Sequence, residues 1–397
     1  MSEKSELLLN LSVLTDFRNT INSSPIFVNS EKHCHRYNLI CTVMDRIDSA
    51  VKVLNEYGEQ PKSEESFIMF LVYACMLKDG IYKLYENVFH KKPPCVDSSR
   101  YLSNVCKYSE AVFQNDDCPT DDVLFEYLRA MAFAHPYDTN HRNRRSFLDT
   151  GENHCCPWVI VSTPPILKIK NPVGIRIYSN KKEDGMTDVY ISFDDLKAYV
   201  KSRYDLLANL NNWAILAVQE QNSEWIKSKI NRNLSPIEIL IEIDNILEER
   251  FDENYGIKTA IIDLNCTLSL EENNRSVEQY RNAIVSIVPE LCDAIDCLDH
   301  EQIDKLIGKV VYSCPKTMHK MGYYQLEKIF SYLYVRSTEI DPLSNESWGL
   351  KQAHAFSQGF AKEWVTIDVN TMSYDEIKLL VRTACYLENM RQSGEKE

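Results

Sequence analysis

Between residues 36 and 57 apolar side chains recur at three- and four-residue spacing: Leu39, Ile40, Val43, Met44, Ile47, Val51 and Leu54. That is the period of one buried helix face. Residues 65 to 90 carry a denser set, Phe67, Phe70, Leu71, Ala74, Met76, Leu77, Ile81 and Leu84, enough for a helix packed on more than one side. A third helix is predicted over 99 to 114, starting at the pair Ser98 and Ser99. A fourth opens after Pro119 and Thr120, with Asp121 and Asp122 in its first turn, where they complement the helix dipole. Four amphipathic helices with short connections can close a core, so the first third reads as a four- or five-helix bundle.

The pattern changes at CCPWVIVSTPPILKIKNPVGIRIYSNKKEDGMTDVYISFDDL. Pro157, Pro164, Pro165 and Pro172 forbid a long helix, while Val159 to Val161, Ile175 with Ile177, and Val189, Ile191 and Phe193 give short strand-like runs, with NKKEDG as a turn between two of them. Two to four strands make a sheet too small to stand alone, so it must lean on helices. Helical periodicity returns from about 194. After the Ser235-Pro236 start, Ile237, Leu240, Ile241, Ile243, Ile246 and Leu247 line one face, and 275 to 312, 323 to 336 and 374 to 392 read likewise. The expected class is mainly α: a helical bundle over 1–152, a small β-rich insertion over 153–195 and a helical C-terminal domain over 196–397.

Composition narrows the function. With only 11 glycines and neither a G-x-x-x-x-G-K-[ST] nor a G-x-G-x-x-G run, nucleotide-loop enzymes are not expected. No apolar run approaches the roughly 20 residues of a membrane span, and MSEKSELLLN lacks the basic start of a secretion signal, so a cytoplasmic protein without a membrane partner is expected. The 13 cysteines are odd in number, include no C-x-x-C pair, and lie mostly in apolar runs, as at Cys41, Cys75, Cys106, Cys292 and Cys385. In a reducing compartment they read as buried free thiols.

Charge points to one region. Residues 1 to 127 hold 13 Lys or Arg against 19 Asp or Glu, a balance of -6; residues 128 to 182 hold 9 against 3, or +6; residues 183 to 397 hold 22 against 36, or -14. An acidic protein that holds a polyanion would confine its positive charge to the site. Inside the basic island, LRAMAFAHPYDTNHRNRR gathers Arg129, His135, His141, Arg142, Arg144 and Arg145. Histidine moves protons near neutral pH, and arginine pairs with phosphate oxygens without losing charge, which suits RNA cleavage through the 2'-hydroxyl. On a straight helix, six steps of about 100° turn His135 about 120° away from Arg129, but Pro136 pushes the residue before it off helical angles and lets His135 swing out. Asp138 and Thr139 read first as turn residues, and alternatively as groups that hold the imidazole tautomer. The arginine run read alone is equally well solvated surface, and the alternative for His135 is a satisfied helix-end histidine.

The R-x5-H spacing of Arg129 and His135 at the end of a bundle's last helix resembles the R-x4-6-H signature of HEPN-domain ribonucleases. These are helical bundles of toxin-antitoxin, abortive-infection and CRISPR-associated effectors. RAMAFAHPYDT is also similar to an R-x4-AHP-x-[DE]-T segment of a group of bacterial helical proteins. The resemblance covers roughly the first 150 residues; many HEPN sequences place Asn, Asp or His after the arginine, where this chain has Ala130. It implies a metal-independent endoribonuclease with no cofactor, with Arg129 and His135 catalytic. RNA would be the partner, held by His141, Arg142, Arg144 and Arg145. It also implies a homodimer or larger even assembly that pairs two motifs, and a role in anti-phage defence or as a toxin under a protein or phage-derived trigger. The C-terminal half is assigned by analogy as a sensor, dimerisation or restraint module. A non-catalytic helical scaffold that binds protein or RNA is the alternative.

Other constellations carry less. His33-Cys34-His35 and His154-Cys155-Cys156 lack the ligand spacing of a zinc knuckle, and Cys156 next to His154 in sequence lacks nucleophile-base geometry. Tyr323, Tyr324, Tyr332 and Tyr334, and His354 with Phe356, Phe360 and Trp364, read as packed helix faces.

Overall fold

The computed structural model describes residues 7–109, 112–113, 118–138, 152–162, 168–181, 185–253, 255–334, 341 and 343–394. The class is mainly α with one small sheet, as the periodicity predicts. The chain divides into two compact units, Met1–Gln219 and Glu220–Glu397.

Unit 1 begins with α1 (Leu11–Asn22), α2 (Ile26–Asn29), α3 (Cys34–Glu56) and α4 (Glu64–Phe89). Helices α3 and α4 bury the predicted stripes, Ile40, Val43, Ile47 and Val51 against Phe67, Phe70, Leu71 and Leu77. Ser63 and Ser66 form a reciprocal cap at the start of α4, satisfying donors that the first turn leaves open. The helix expected over 99 to 114 shrinks to α5 (Asn104–Tyr108). Before it, the buried Asp121 carboxylate accepts the backbone N–H groups of Arg100, Tyr101 and Leu102 and the Ser98 hydroxyl, and after it Ser109 leaves helical angles at φ -136° and ψ 45°. Helix α6 (Asp121–Arg129) starts as predicted, with Thr120 as N-cap. Its acidic pair stands in the first turn, as expected. Asp121 and Asp122 are both buried.

Strands β1 (His154–Ile160), β2 (Pro172–Ser179) and β3 (Met186–Ser192) form an antiparallel sheet in the order β1-β2-β3. A bulge interrupts β1 between Cys155 and Trp158, where Pro157 lies. At Gly174 a side chain would collide with the Val189 carbonyl oxygen across the β2–β3 pair, 2.1 Å from a Cβ. Helices α7 (Phe193–Tyr204) and α8 (Leu207–Trp225) follow. Helix α7 falls in unit 1 rather than with the C-terminal region, because it packs on α4: the Phe193 and Phe70 rings meet edge to face at 4.8 Å. On α7, Arg203 is fully buried and reaches Asp122 at 2.7 Å, while Tyr199 and Tyr82 each donate to the same carboxylate at 2.8 Å.

Unit 2 contains α9 (Pro236–Glu249), α10 (Ile257–Asn265), α11 (Asn274–Cys297), α12 (His300–Val310), α13 (Gly322–Tyr332), α14 (Asn345–Ser357) and α15 (Tyr374–Ser393). The helix expected over 275 to 312 is two, broken where Leu298 takes a positive φ and Asp299 caps α12. On α9 the core takes Ile239 in place of Ile241, which is exposed. Its buried polar centre is Asp263, paired with Arg382 and accepting from Tyr280 at 2.9 Å. Tyr323 and Tyr334 are exposed rather than packed, and His354 is exposed while Phe356 is core.

The thiol expectation needs correction. Cys106 is joined to Cys118 by a disulfide. Among the eleven free cysteines only Cys156, Cys292 and Cys385 are buried. Among the described residues, no helix is long and apolar enough to cross a membrane.

Candidate functional site

Helix α6 does not end as an ordinary α-helix. After Arg129 the chain widens into a π-turn over Ala130–Ala134, closed by the His135 N–H donating to the Ala130 carbonyl at 2.7 Å. Such turns often mark functional positions. His135 then leaves helical angles at φ -144° and ψ 56°, as expected of a residue before proline, and is exposed. Asp138 donates its N–H to the His135 carbonyl at 3.4 Å, closing a backbone turn. Thr139, His141, Arg142, Arg144 and Arg145 lie outside the described residues.

Arg129 is partly buried and already engaged. Its Nε donates to Glu126 Oε2 at 2.9 Å and its Nη2 lies 2.8 Å from the same oxygen. The other Glu126 oxygen takes the Lys78 ammonium, which also lies 3.2 Å from Asp79. Burial alone would raise Glu126, but the two cations outweigh it and hold its carboxyl below the usual range. Burial likewise opposes the charge on Lys78, and Glu126 with Asp79 more than restores it. Cys75 donates to Asp79 at 3.2 Å, and burial with that carboxylate pushes the thiol up to about 12. Ligand atoms of Cys75, Asp79 and Glu126 fall within 4.8 Å of one another, the spacing of a metal site. The Lys78 ammonium occupies the place between the two carboxylates, and the thiol stays protonated.

Past His135 the chain runs along β1. The Cys156 N–H donates to the Pro136 carbonyl at 2.7 Å, and the Cys155 thiol to the Tyr137 carbonyl at 3.1 Å. This docking forms one wall of a cleft of about 290 Å³, lined by Ala132, Pro136 and Tyr137 on one side and by Glu64, Trp158 and Tyr178 on the others. Tyr137, Trp158 and Tyr178 are 83%, 43% and 44% exposed. Trp158 pairs across the strands with Arg176, and Tyr178 lies two residues further along β2, so the three share one face of the sheet. Arg176 lies over the Trp158 ring at 5.2 Å from its centroid and is itself forked onto Asp188 at 2.6 and 2.7 Å. Burial pushes the Cys156 thiol up to about 11, and the Glu64 charge adds to the rise, so Cys156 is not a thiolate nucleophile near neutral pH.

His154 does not serve as a metal ligand. Its ring is fully buried, with Nδ1 at 2.8 Å from the Tyr127 hydroxyl and Nε2 at 2.9 Å from Glu152, which also accepts from Ser179 at 2.7 Å. Both nitrogens are used, and this chain ties α6 to the ends of β1 and β2. His33 likewise packs its ring on Phe27 and Trp213.

Sequence reasoning missed Lys78 and Glu126 around Arg129, and the aromatic face of β1 and β2. Lys78 had a signal, since it falls on the apolar stripe of α4 between Ala74 and Ile81. A lysine there must find an anion. No family model, curated protein or solved structure matches the chain.

Proposed function

We propose that unit 1 is a HEPN-type, metal-independent endoribonuclease acting in anti-phage defence or as a regulated toxin. The observation that carries the reading is the position of His135: exposed at a π-turned helix end, six residues after Arg129, next to Pro136 and Tyr137 of the cleft. In this reading a neutral His135 takes the proton of an RNA 2'-hydroxyl, whose oxygen attacks the adjacent phosphorus. The bond to the 5'-oxygen breaks, a 2',3'-cyclic phosphate forms, and the partner subunit's His135, as imidazolium, gives its proton to the leaving oxygen. Arg129 stabilises the charge on the non-bridging oxygens. The two contacts of Arg129 with Glu126 Oε2 orient it, and His141, Arg142, Arg144 and Arg145 hold flanking phosphates. Pairing two motifs calls for a homodimer or larger even assembly, with a protein or phage-derived trigger.

One observation favours the second reading, a non-catalytic RNA- or protein-binding module. The Arg129 charge is already balanced within the Lys78–Glu126–Asp79 group. Incubation with single-stranded RNA in a chelator separates the two. The ribonuclease reading expects cyclic phosphate ends and no attack on a strand with a single 2'-deoxy sugar at the cut. An obligatory divalent metal, or equal cutting of DNA, overturns it.

A further inference from the structure

The cleft beside His135 has a chemistry that phosphate binding does not explain. Among the described residues its lining includes three exposed aromatic rings, Tyr137, Trp158 and Tyr178, and one charged group, the Glu64 carboxylate at the first residue of α4. A carboxylate repels phosphate but accepts hydrogen bonds from the N–H groups of a base. Aromatic faces stack on unpaired bases, a common mode of single-strand recognition. The bulge at Pro157 turns Trp158 onto the same face as Tyr178, and Arg176 covers the indole, so the ring is held as a fixed platform.

Resting on the ribonuclease reading, we propose that this cleft takes one unpaired base of the RNA next to the cut, and that Glu64 selects guanine. Guanine offers two adjacent donors, N1–H and the exocyclic amine, to the two carboxylate oxygens. Uracil presents one donor between two acceptors, and adenine and cytosine present a single amine beside an acceptor. Tyr137 lies two residues from His135, so the proposed base site borders the proposed cleavage site. The site therefore sets which nucleotide borders the cut.

Tryptophan emission of the full-length chain tests this without any cleavage. Titration of GMP, AMP, CMP, UMP and inorganic phosphate into the wild type and Trp158→Phe isolates the Trp158 signal from that of the other four tryptophans. The expected result is saturable quenching by GMP that Trp158→Phe removes, at least fivefold weaker binding of UMP, and no response to phosphate. Glu64→Gln should weaken GMP about tenfold and leave AMP unchanged, and Tyr178→Ala should weaken every nucleotide about tenfold. Equal responses to the four bases overturn the guanine assignment. No Trp158 response to any nucleotide, or an equal one to phosphate, overturns the base site. A folded His135→Ala chain that still cuts RNA would defeat the ribonuclease reading instead, and it leaves the Trp158 titration unaffected.

Discussion

Glu126 decides how Arg129 behaves. Burial opposes its charge, and Lys78 and Arg129 outweigh burial, so its folded pKa lies below the ordinary carboxyl value of 4.5. A lowered carboxyl contributes stability that is complete above the unfolded value and is lost as pH falls through the folded one. Urea midpoints should therefore drop as pH falls below about 4.5, and Glu126→Gln should flatten that part of the profile. At pH 7 the same substitution removes the anion from a nearly buried ammonium and should cost about 1–3 kcal/mol. A pH profile identical to wild type would show that Glu126 is not held by its two cations. The Asp122–Arg203 pair is the sharper case, since Arg203 is fully buried and Asp122 accepts from Tyr82, Tyr199 and Arg203 at once. Arg203→Met should lower stability by about 3–5 kcal/mol, and adding Asp122→Leu should recover part of it. Denaturant unfolding of the single and double variants measures this, and an additive loss contradicts it. None of these pairings was legible in the sequence. Asp122 reads there as a helix-start residue, and only the buried guanidinium 81 residues away gives it its role.

Among the elements, long stripes were legible and short irregular pieces were not. Helices α6 and α9 begin where Thr120 and Ser235 indicate, and α3 and α4 begin within two residues of the spans predicted from their apolar stripes. The π-turn has no sequence mark, because AMAFA is composed of helix formers; Pro136 reveals only that His135 departs. The bulge in β1 was half visible through Pro157. Helix α5 fell short of its periodicity, and the Asp121 carboxylate that takes the Leu102 N–H 19 residues away has no mark in that stretch. The Cys106–Cys118 bridge ties α5 to the residues just before α6, and spacing alone cannot reveal a pairing. Thiol titration of the denatured chain without reductant should find 11 of the 13 thiols, and all 13 after reduction. Thirteen without reductant would show the bridge is not formed.

At the scale of the molecule, the +6 balance of residues 128 to 182 sits in a chain of formal charge -14. Replacing Arg142, Arg144 and Arg145 together should weaken RNA binding and flatten its salt dependence, by about 0.7 in the log-log slope for each phosphate of a single strand that is no longer neutralised. Unchanged slope in a filter-binding series would make those arginines ordinary surface. Two such islands repel each other, so self-association should strengthen with salt or with uncleavable RNA, and light scattering across salt reads it directly. A strict monomer that cuts at full rate contradicts the composite site. Arg129 and His135 were singled out in the sequence because residue type and interval suit the proposed chemistry. It missed the cleft, which is assembled from α4, the π-turn and two strands that only folding brings together. The central claim rests on one imidazole. Cleavage of a labelled single-stranded RNA by the wild-type chain and by His135→Ala, matched in circular dichroism and urea midpoint, is the direct measurement. The account predicts cyclic phosphate products from the wild type and a rate at least about 100-fold lower from His135→Ala. Equal rates, or no cleavage by the wild type in the presence of its trigger, would contradict it.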